Sequence, residues 1–249
     1  MRFKDVTVNS IGALLDVLKK QSPDGKTVWF RGHGDVSWKL VPSLARQKRH
    51  LAAEAALRKR FMQNAVPHLD RIPTEEWEWM FMMQHHRAPT RLLDWSESPL
   101  AALYFAVSEE RHIRRDAAMW CLDPVALNSE ARVTTFRFPG EIPAFGVDDV
   151  LKSYLPSLVD GSPTVMNTVA IIGPRNTARM AAQLGVFTIN HREHIPIETI
   201  GAAKHAWRWI VPSSAKTNLR KELALLGVTT LTLFPELDHV ANLAKELLQ

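Results

Sequence analysis

The spacing of the apolar stretches in the second half of this chain most limits what it can fold into. AAMWCLD (117–123), ARVTTFRF (131–138), TVAIIG (168–173), LGVFTIN (184–190), AWRWIVP (206–212) and VTTLTLF (228–234) are rich in the β-branched and aromatic residues that strands favour. Many of the intervening segments are too short for the helical crossover that a parallel pair needs. The expectation is therefore an α+β fold with a mostly antiparallel sheet flanked by helices, and not a doubly wound one.

The first half supplies complementary signals. SIGALLDVLKK (10–20) repeats apolar residues at helical spacing behind Ser10, a suitable N-cap. KTVWFR (26–31) reads as a strand with Val28 and Phe30 on one face and Trp29 and Arg31 on the other. Helices are expected over 50–66 and from Thr74, where Trp77, Met80 and Phe81 form a core stripe that continues to Gln84. A glutamine on such a stripe must find hydrogen-bond partners. TRLLDW (90–95) reads as a strand feeding a helix marked by Ser98 and Pro99. Further helices are expected over 178–183, 215–226 and 237–248, with an insert or long loop over 139–163. With no repeat or Gly/Ser linker, residues 1–249 read as a single domain.

Apolar residues make up 46% of the chain and charged residues 23%, enough for a proper core. The single cysteine, Cys121, excludes a disulfide framework and a multi-thiolate zinc site. MRFKDVTVNS is too polar for a secretory leader and no apolar run reaches membrane length, so a cytoplasmic protein without membrane partners is expected. The net charge of +5 suits a polyanionic partner. Lys48, Arg49, Arg58, Lys59 and Arg60 cluster as candidate nucleic-acid contacts, although such residues more often form a solvated helix face.

Two stretches carry the candidate chemistry. In WFRGHGDVSWKLVPSLAR (29–46), Arg31 ends an apolar strand ahead of Gly32 and Gly34. An arginine there can anchor phosphate or carboxylate through paired hydrogen bonds, or form a structural ion pair with Asp35 or Asp94. In QHHRAPTRLLDWSESPLAALYFAV (84–107), Asp94 and Ser96 stand where a strand meets a helix N-terminus, a place suited to anions and ligands. Asp94 could be a base, an acceptor for a ribose hydroxyl, or the partner of Arg91. Adjacent His85 and His86 cannot easily hold one ion, so no metal site is expected, and HREH (191–194) reads as surface. Walker, Rossmann, nucleophile-elbow and zincin motifs do not occur.

These two stretches, with QLGVFTIN and the ending LLGVTTLTLFPELDHVANLAKEL, resemble the FRG domain, named for the Phe-Arg-Gly at Phe30, Arg31 and Gly32. The resemblance spans roughly residues 27–248. The arrangement also looks like a distant variant of the ADP-ribosyltransferase fold, which implies a split antiparallel sheet and NAD as substrate. It implies catalytic roles for Arg31, Asp94, Ser96 and Gln183, with Glu193 and Glu198 as alternative acids. It further implies that Phe30, Gly32, Trp38, Ser43, Arg46, Gln84, His85, Thr90 and Arg91 surround the cofactor.

The reading that follows is an NAD-dependent ADP-ribosyltransferase acting on a nucleic acid, RNA ahead of DNA. By the same resemblance it would be a toxin of a toxin–antitoxin or anti-phage system, with a neutralising partner protein. Arg31, Gln84 and Asp94 should then face one pocket. One alternative is a non-catalytic module binding a nucleotide or nucleic acid through Arg31, Arg87 and Arg91. Another is a nuclease using His85 with Asp94.

Overall fold

The computed structural model describes residues 1–249 except 23–25, 134–139, 160, 161, 163, 193, 194 and 246–249, and the side chains of Lys48, Asn242 and Leu243. A short strand β1 (Val6–Thr7) leads into α1 (Ile11–Gln21), where the Ser10 hydroxyl accepts the Ala13 N–H at 3.1 Å. β2 (Trp29–His33) buries Trp29 and Phe30 in different core clusters, as alternation along a strand requires. The helix expected over 50–66 is two helices, α2 (Lys48–Ala52) and α3 (Glu54–Ala65), which part at Ala53. α4 (Glu76–His85) starts just after Thr74, and the Glu78 carboxylate accepts the main-chain N–H groups of Thr74 and Glu75.

β3 (Leu92–Ser96) and α5 (Pro99–Val107) stand where Ser98 and Pro99 direct them. β4 (Ala117–Leu122) is buried along its whole length and ends in α6 (Pro124–Glu130), capped by Asp123. The segment expected as an insert or long loop packs three side chains into the core. Its 3-10 turn Asp149–Tyr154 and α7 (Pro156–Val159) bury Leu151, Tyr154 and Val159 completely. β5 (Val169–Ile171), α8 (Ala178–Ala182), β6 (Gly185–Ile189), β7 (Ala206–Val211) and α9 (Lys216–Leu225) follow.

The strand expected over 228–234 is wrong. Gly227 turns the chain at φ +74°, and Thr229 then caps α10 (Thr230–Leu233) by accepting from Thr232 N. The threonine hydroxyls hydrogen-bond the local backbone and so favour a capped turn over a ladder, against their β propensity. α11 (Leu237–Lys245) closes the described chain. Most of the strand expected over 131–138 lies outside the described residues, and Ala131 and Arg132 form a turn.

Among the described residues seven strands form one sheet in the order β1-β7-β4-β2-β3-β6-β5, and only the β1–β7 pair is parallel. The fold is therefore α+β, mostly antiparallel and flanked by helices. Its middle joint is narrow: β2 and β3 share the single register pair Phe30–Ser96, while β2–β4 and β3–β6 each pair along five residues. On one face α1, α5 and α9 pack Leu14, Leu103 and Leu219 against Phe30, Met119 and Trp209. Among the described residues no helix is long and apolar enough to cross a membrane.

Candidate functional site

A cavity of about 670 Å³ opens where β2 and β3 part, and it collects side chains from both strands, α4, α5, α8 and the C-terminal segment. Gly32 fixes how α5 lies across this region. A Cβ there would stand 2.0 Å from the Ala102 carbonyl oxygen and 2.5 Å from the Ala106 nitrogen. The missing side chain thus admits the helix backbone. Gly32 lines the cavity, but its want of a Cβ is explained by packing and not by a ligand.

Arg31 bridges the joint. Its Nη1 donates to the Asp94 main-chain oxygen at 2.6 Å and stands 3.9 Å from Asp94 Oδ2. Its Nε donates to His33 Nε2 at 3.0 Å, which requires that nitrogen to be unprotonated. Burial, reinforced by the Arg31 charge, pushes the His33 pKa down to about 3, so the acceptor persists at neutral pH. Burial also lowers Arg31 from the usual guanidinium range, and the Asp94 charge opposes that.

Asp94 opens onto the cavity with its side chain 56% accessible, so its crowding by the surrounding wall is partial. That crowding raises its pKa above the ordinary carboxylate value, against the opposing pull of Arg31 and of the Gln84 hydrogen bond. Gln84 Nε2 donates to Asp94 Oδ2 at 2.6 Å, and Gln84 Oε1 accepts from the Thr90 hydroxyl. The glutamine that interrupts the apolar stripe of α4 is therefore the brace of this carboxylate. Arg31, Gln84 and Asp94 do share one pocket.

The cavity is electropositive. Arg31, Arg46, Arg87, Arg111 and Arg179 line it against the carboxylates of Asp94 and Glu109. Arg111 is paired with Glu109. Among the described residues the guanidinium groups of Arg46 and Arg87 have no ion-pair or hydrogen-bond partner. Arg87 is presented from a backbone at φ +60°, just beyond the end of α4. Trp38, Phe105 and Phe234 add aromatic surface. Arginine forks beside aromatic faces suit a phosphate-bearing ligand with a planar base.

The other expected residues divide. Phe30, Trp38, Arg46 and His85 line the cavity, and burial beside Arg179 lowers the His85 pKa. Ser96 and Gln183 line it too, with the Ser96 hydroxyl and the Gln183 side-chain N–H engaged. The Ser96 hydroxyl donates to the Gln183 carbonyl at 2.6 Å and accepts from Ser98 N at 2.9 Å. The Gln183 amide donates to the Leu233 carbonyl at 2.9 Å. Thr90 stands behind the cavity wall as support for Gln84, and Ser43 is not part of the lining.

Arg91 is the clearest correction. It points away from the cavity into the core, where it forms a buried ion pair with Glu54 from α3 and donates to the His191 carbonyl. Three residues along a strand place Arg91 and Asp94 on opposite faces. Glu198 is also elsewhere, accepting from Leu40 N at 3.1 Å, and Glu193 lies outside the described residues. Of the basic cluster, Arg58 pairs with Glu76 and Arg49 with Gln47, while Lys59 and Arg60 are exposed. The Lys48 side chain lies outside the description.

His33, Arg179 and Phe234 were not foreseen. His33 was within reach of the sequence, since it stands two residues from Arg31 on the same strand face. Arg179 and Phe234 come from distant segments and carried no local signal.

Residues 26–115 match the family model of the FRG domain. Searches of the curated proteins and of the solved structures find no match. The matched span holds Arg31, Gln84, Arg87 and Asp94, and stops short of Arg179.

Proposed function

We propose that the FRG domain and the segments packed on it take NAD as substrate and transfer its ADP-ribose to a nucleic acid, RNA ahead of DNA. One observation carries the reading: Asp94 presents a braced carboxylate to a cavity in which Arg46 and Arg87 have free guanidinium groups. The volume of about 670 Å³ is in the range of small-molecule sites.

Each group has a task. Arg46, Arg87 and Arg31 counter the two charges of the pyrophosphate. Asp94 accepts from a ribose hydroxyl and faces the positive charge that grows on the sugar as the nicotinamide bond breaks. The bonding pair leaves with nicotinamide, and an acceptor hydroxyl or amine then bonds to the anomeric carbon and loses its proton to solvent. Gln84 holds the carboxylate in place throughout. The net charge of +5 and the exposed Lys59 and Arg60 favour a polyanionic acceptor. A protein that consumes NAD or alters RNA in the cytoplasm would need a neutralising partner, which fits the role of a toxin.

A specific observation favours a second reading, a module that binds a nucleotide without turning it over. The Ser96 hydroxyl and the side-chain N–H of Gln183, on two of the residues given catalytic roles by resemblance, are engaged by main-chain groups. Incubation with adenylate-labelled NAD and total RNA separates the two. Transfer predicts nicotinamide release with label on intact RNA. Binding without release would establish the module, and shortened RNA without label would point to a nuclease.

A further inference from the structure

Among the described residues Arg179 is the one cavity-lining arginine held by an acid from outside the lining. From α8 its Nε donates to Glu236 Oε1 and its Nη1 to the His85 carbonyl at 3.0 Å, and its guanidinium lies 5.5 Å from the centre of the Phe234 ring. Glu236 stands between α10 and α11, and its second oxygen, Oε2, is buried without a hydrogen-bond partner. A carboxylate can accept about four hydrogen bonds, so this ion pair leaves its acid poorly satisfied.

The segment that carries Glu236 is lightly attached. Phe234 and His239 line the cavity, so the segment forms one wall of it. Among the described residues its side-chain hydrogen bonds to the body are Gln183 to the Leu233 carbonyl at 2.9 Å and Tyr104 to Thr230 at 2.7 Å, beside the Arg179–Glu236 pair, and Phe234 meets Phe105 edge-on with ring centres 5.8 Å apart. Leu237 is 84% and Val240 44% exposed, so the first turn of α11 buries little apolar surface. Few buried contacts mean a low cost of local opening.

We propose that Glu236 is an internal stand-in for a ligand phosphate: it occupies Arg179 in the ligand-free chain and yields that arginine to the phosphate of an incoming nucleotide, which frees the α10–α11 wall to move. The inference rests on the nucleotide reading of the cavity given above. The pyrophosphate of a dinucleotide offers four non-bridging oxygens and two charges, and the terminal phosphate of ADP three oxygens, against the two oxygens and one charge of the carboxylate. Arg179 then acts as a phosphate-binding residue, and Glu236 sets how much ligand is needed to engage it.

The test uses ADP and inorganic pyrophosphate as probes, with the whole chain, Glu236→Gln, Arg179→Lys, Arg179→Ala and the Arg179→Ala/Glu236→Gln double variant. Calorimetry should give about tenfold tighter ADP and pyrophosphate binding for Glu236→Gln. Both arginine variants should bind more weakly, and Glu236→Gln should have no effect in the Arg179→Ala background. Amide exchange over 229–241 should quicken when ADP binds the parent chain and be fast beforehand in Glu236→Gln. Unchanged or weaker binding in Glu236→Gln would overturn the proposal, as would binding by neither chain. Tighter ADP binding without nicotinamide release from NAD would retire the transferase reading and leave this one standing. Release from NAD with affinity indifferent to Glu236 would do the reverse.

Discussion

The Arg31 guanidinium donates to the main-chain oxygen of Asp94 at 2.6 Å and stands 3.9 Å from its carboxylate. The two residues belong to strands that share only one register pair, Phe30–Ser96. A side chain thus spans the place where the ladder stops, and the space left by the parting strands becomes the cavity. Arg31 is the middle residue of β2, and it serves both the joint and the candidate site.

Asp94 should trade stability for function. Its pKa is raised in the fold, so its contribution to stability is greatest when it is protonated and is lost as pH rises through the raised value. Asp94→Asn should therefore raise the thermal midpoint, by no more than about 1 kcal/mol given its exposure, or about 2–4 °C. If the protein is the transferase proposed above, the acid limb of nicotinamide release should lie above the ordinary carboxylate value. Thermal melts and a pH–rate profile check both.

His33 should behave in the opposite sense. Its pKa is depressed from 6.5 to about 3, so the unfolded chain binds its proton first. Stability should fall as pH drops from 6.5 toward 3, and His33→Gln should lessen that slope in urea titrations. In the folded chain the His33 ring signals should not titrate between pH 8 and 5.

Gly32→Ala should cost about 3 kcal/mol, because the new methyl group meets the α5 backbone and not a flexible side chain. Gly34→Ala should cost less, since its added carbon would meet the His112 side chain at 3.3 Å. Denaturant midpoints of the two variants give the comparison.

Arg91 should prove structural. Arg91→Ala strands the buried Glu54 carboxylate and should destabilise the fold by about 3–5 kcal/mol. Arg91→Lys, which keeps the charge, should retain parental ADP affinity when folded. A loss of affinity in a folded Arg91→Lys protein would place it in the site after all.

Much of this architecture was legible locally. Ser98 and Pro99 fix where α5 begins. The antiparallel sheet was expected from short segments between late strands, but of those strands only β5 and β6 are both consecutive and paired, with α8 between them. Arg31 and Asp94 stood out as charge at the ends of apolar runs. What the sequence could not separate was Arg31 from Arg91, since each neighbours an apolar strand. The difference lies in Glu54, 37 residues before Arg91, whose approach is a matter of tertiary packing. The threonines of 229–232 misled for another reason, because their hydroxyls suit capping as well as their branching suits strands. Phe234 lines the cavity from the end of α10, a segment whose composition had pointed to a strand.

The most direct measurement sets nicotinamide release from NAD beside NAD affinity, for the parent chain and Asp94→Asn. Asparagine keeps the size and the Gln84 contact but removes the charge. The expected result is that both bind NAD with similar affinity and only the parent releases nicotinamide. Equal release by both, or failure of the folded parent to bind NAD, would contradict the role given to this carboxylate and its cavity.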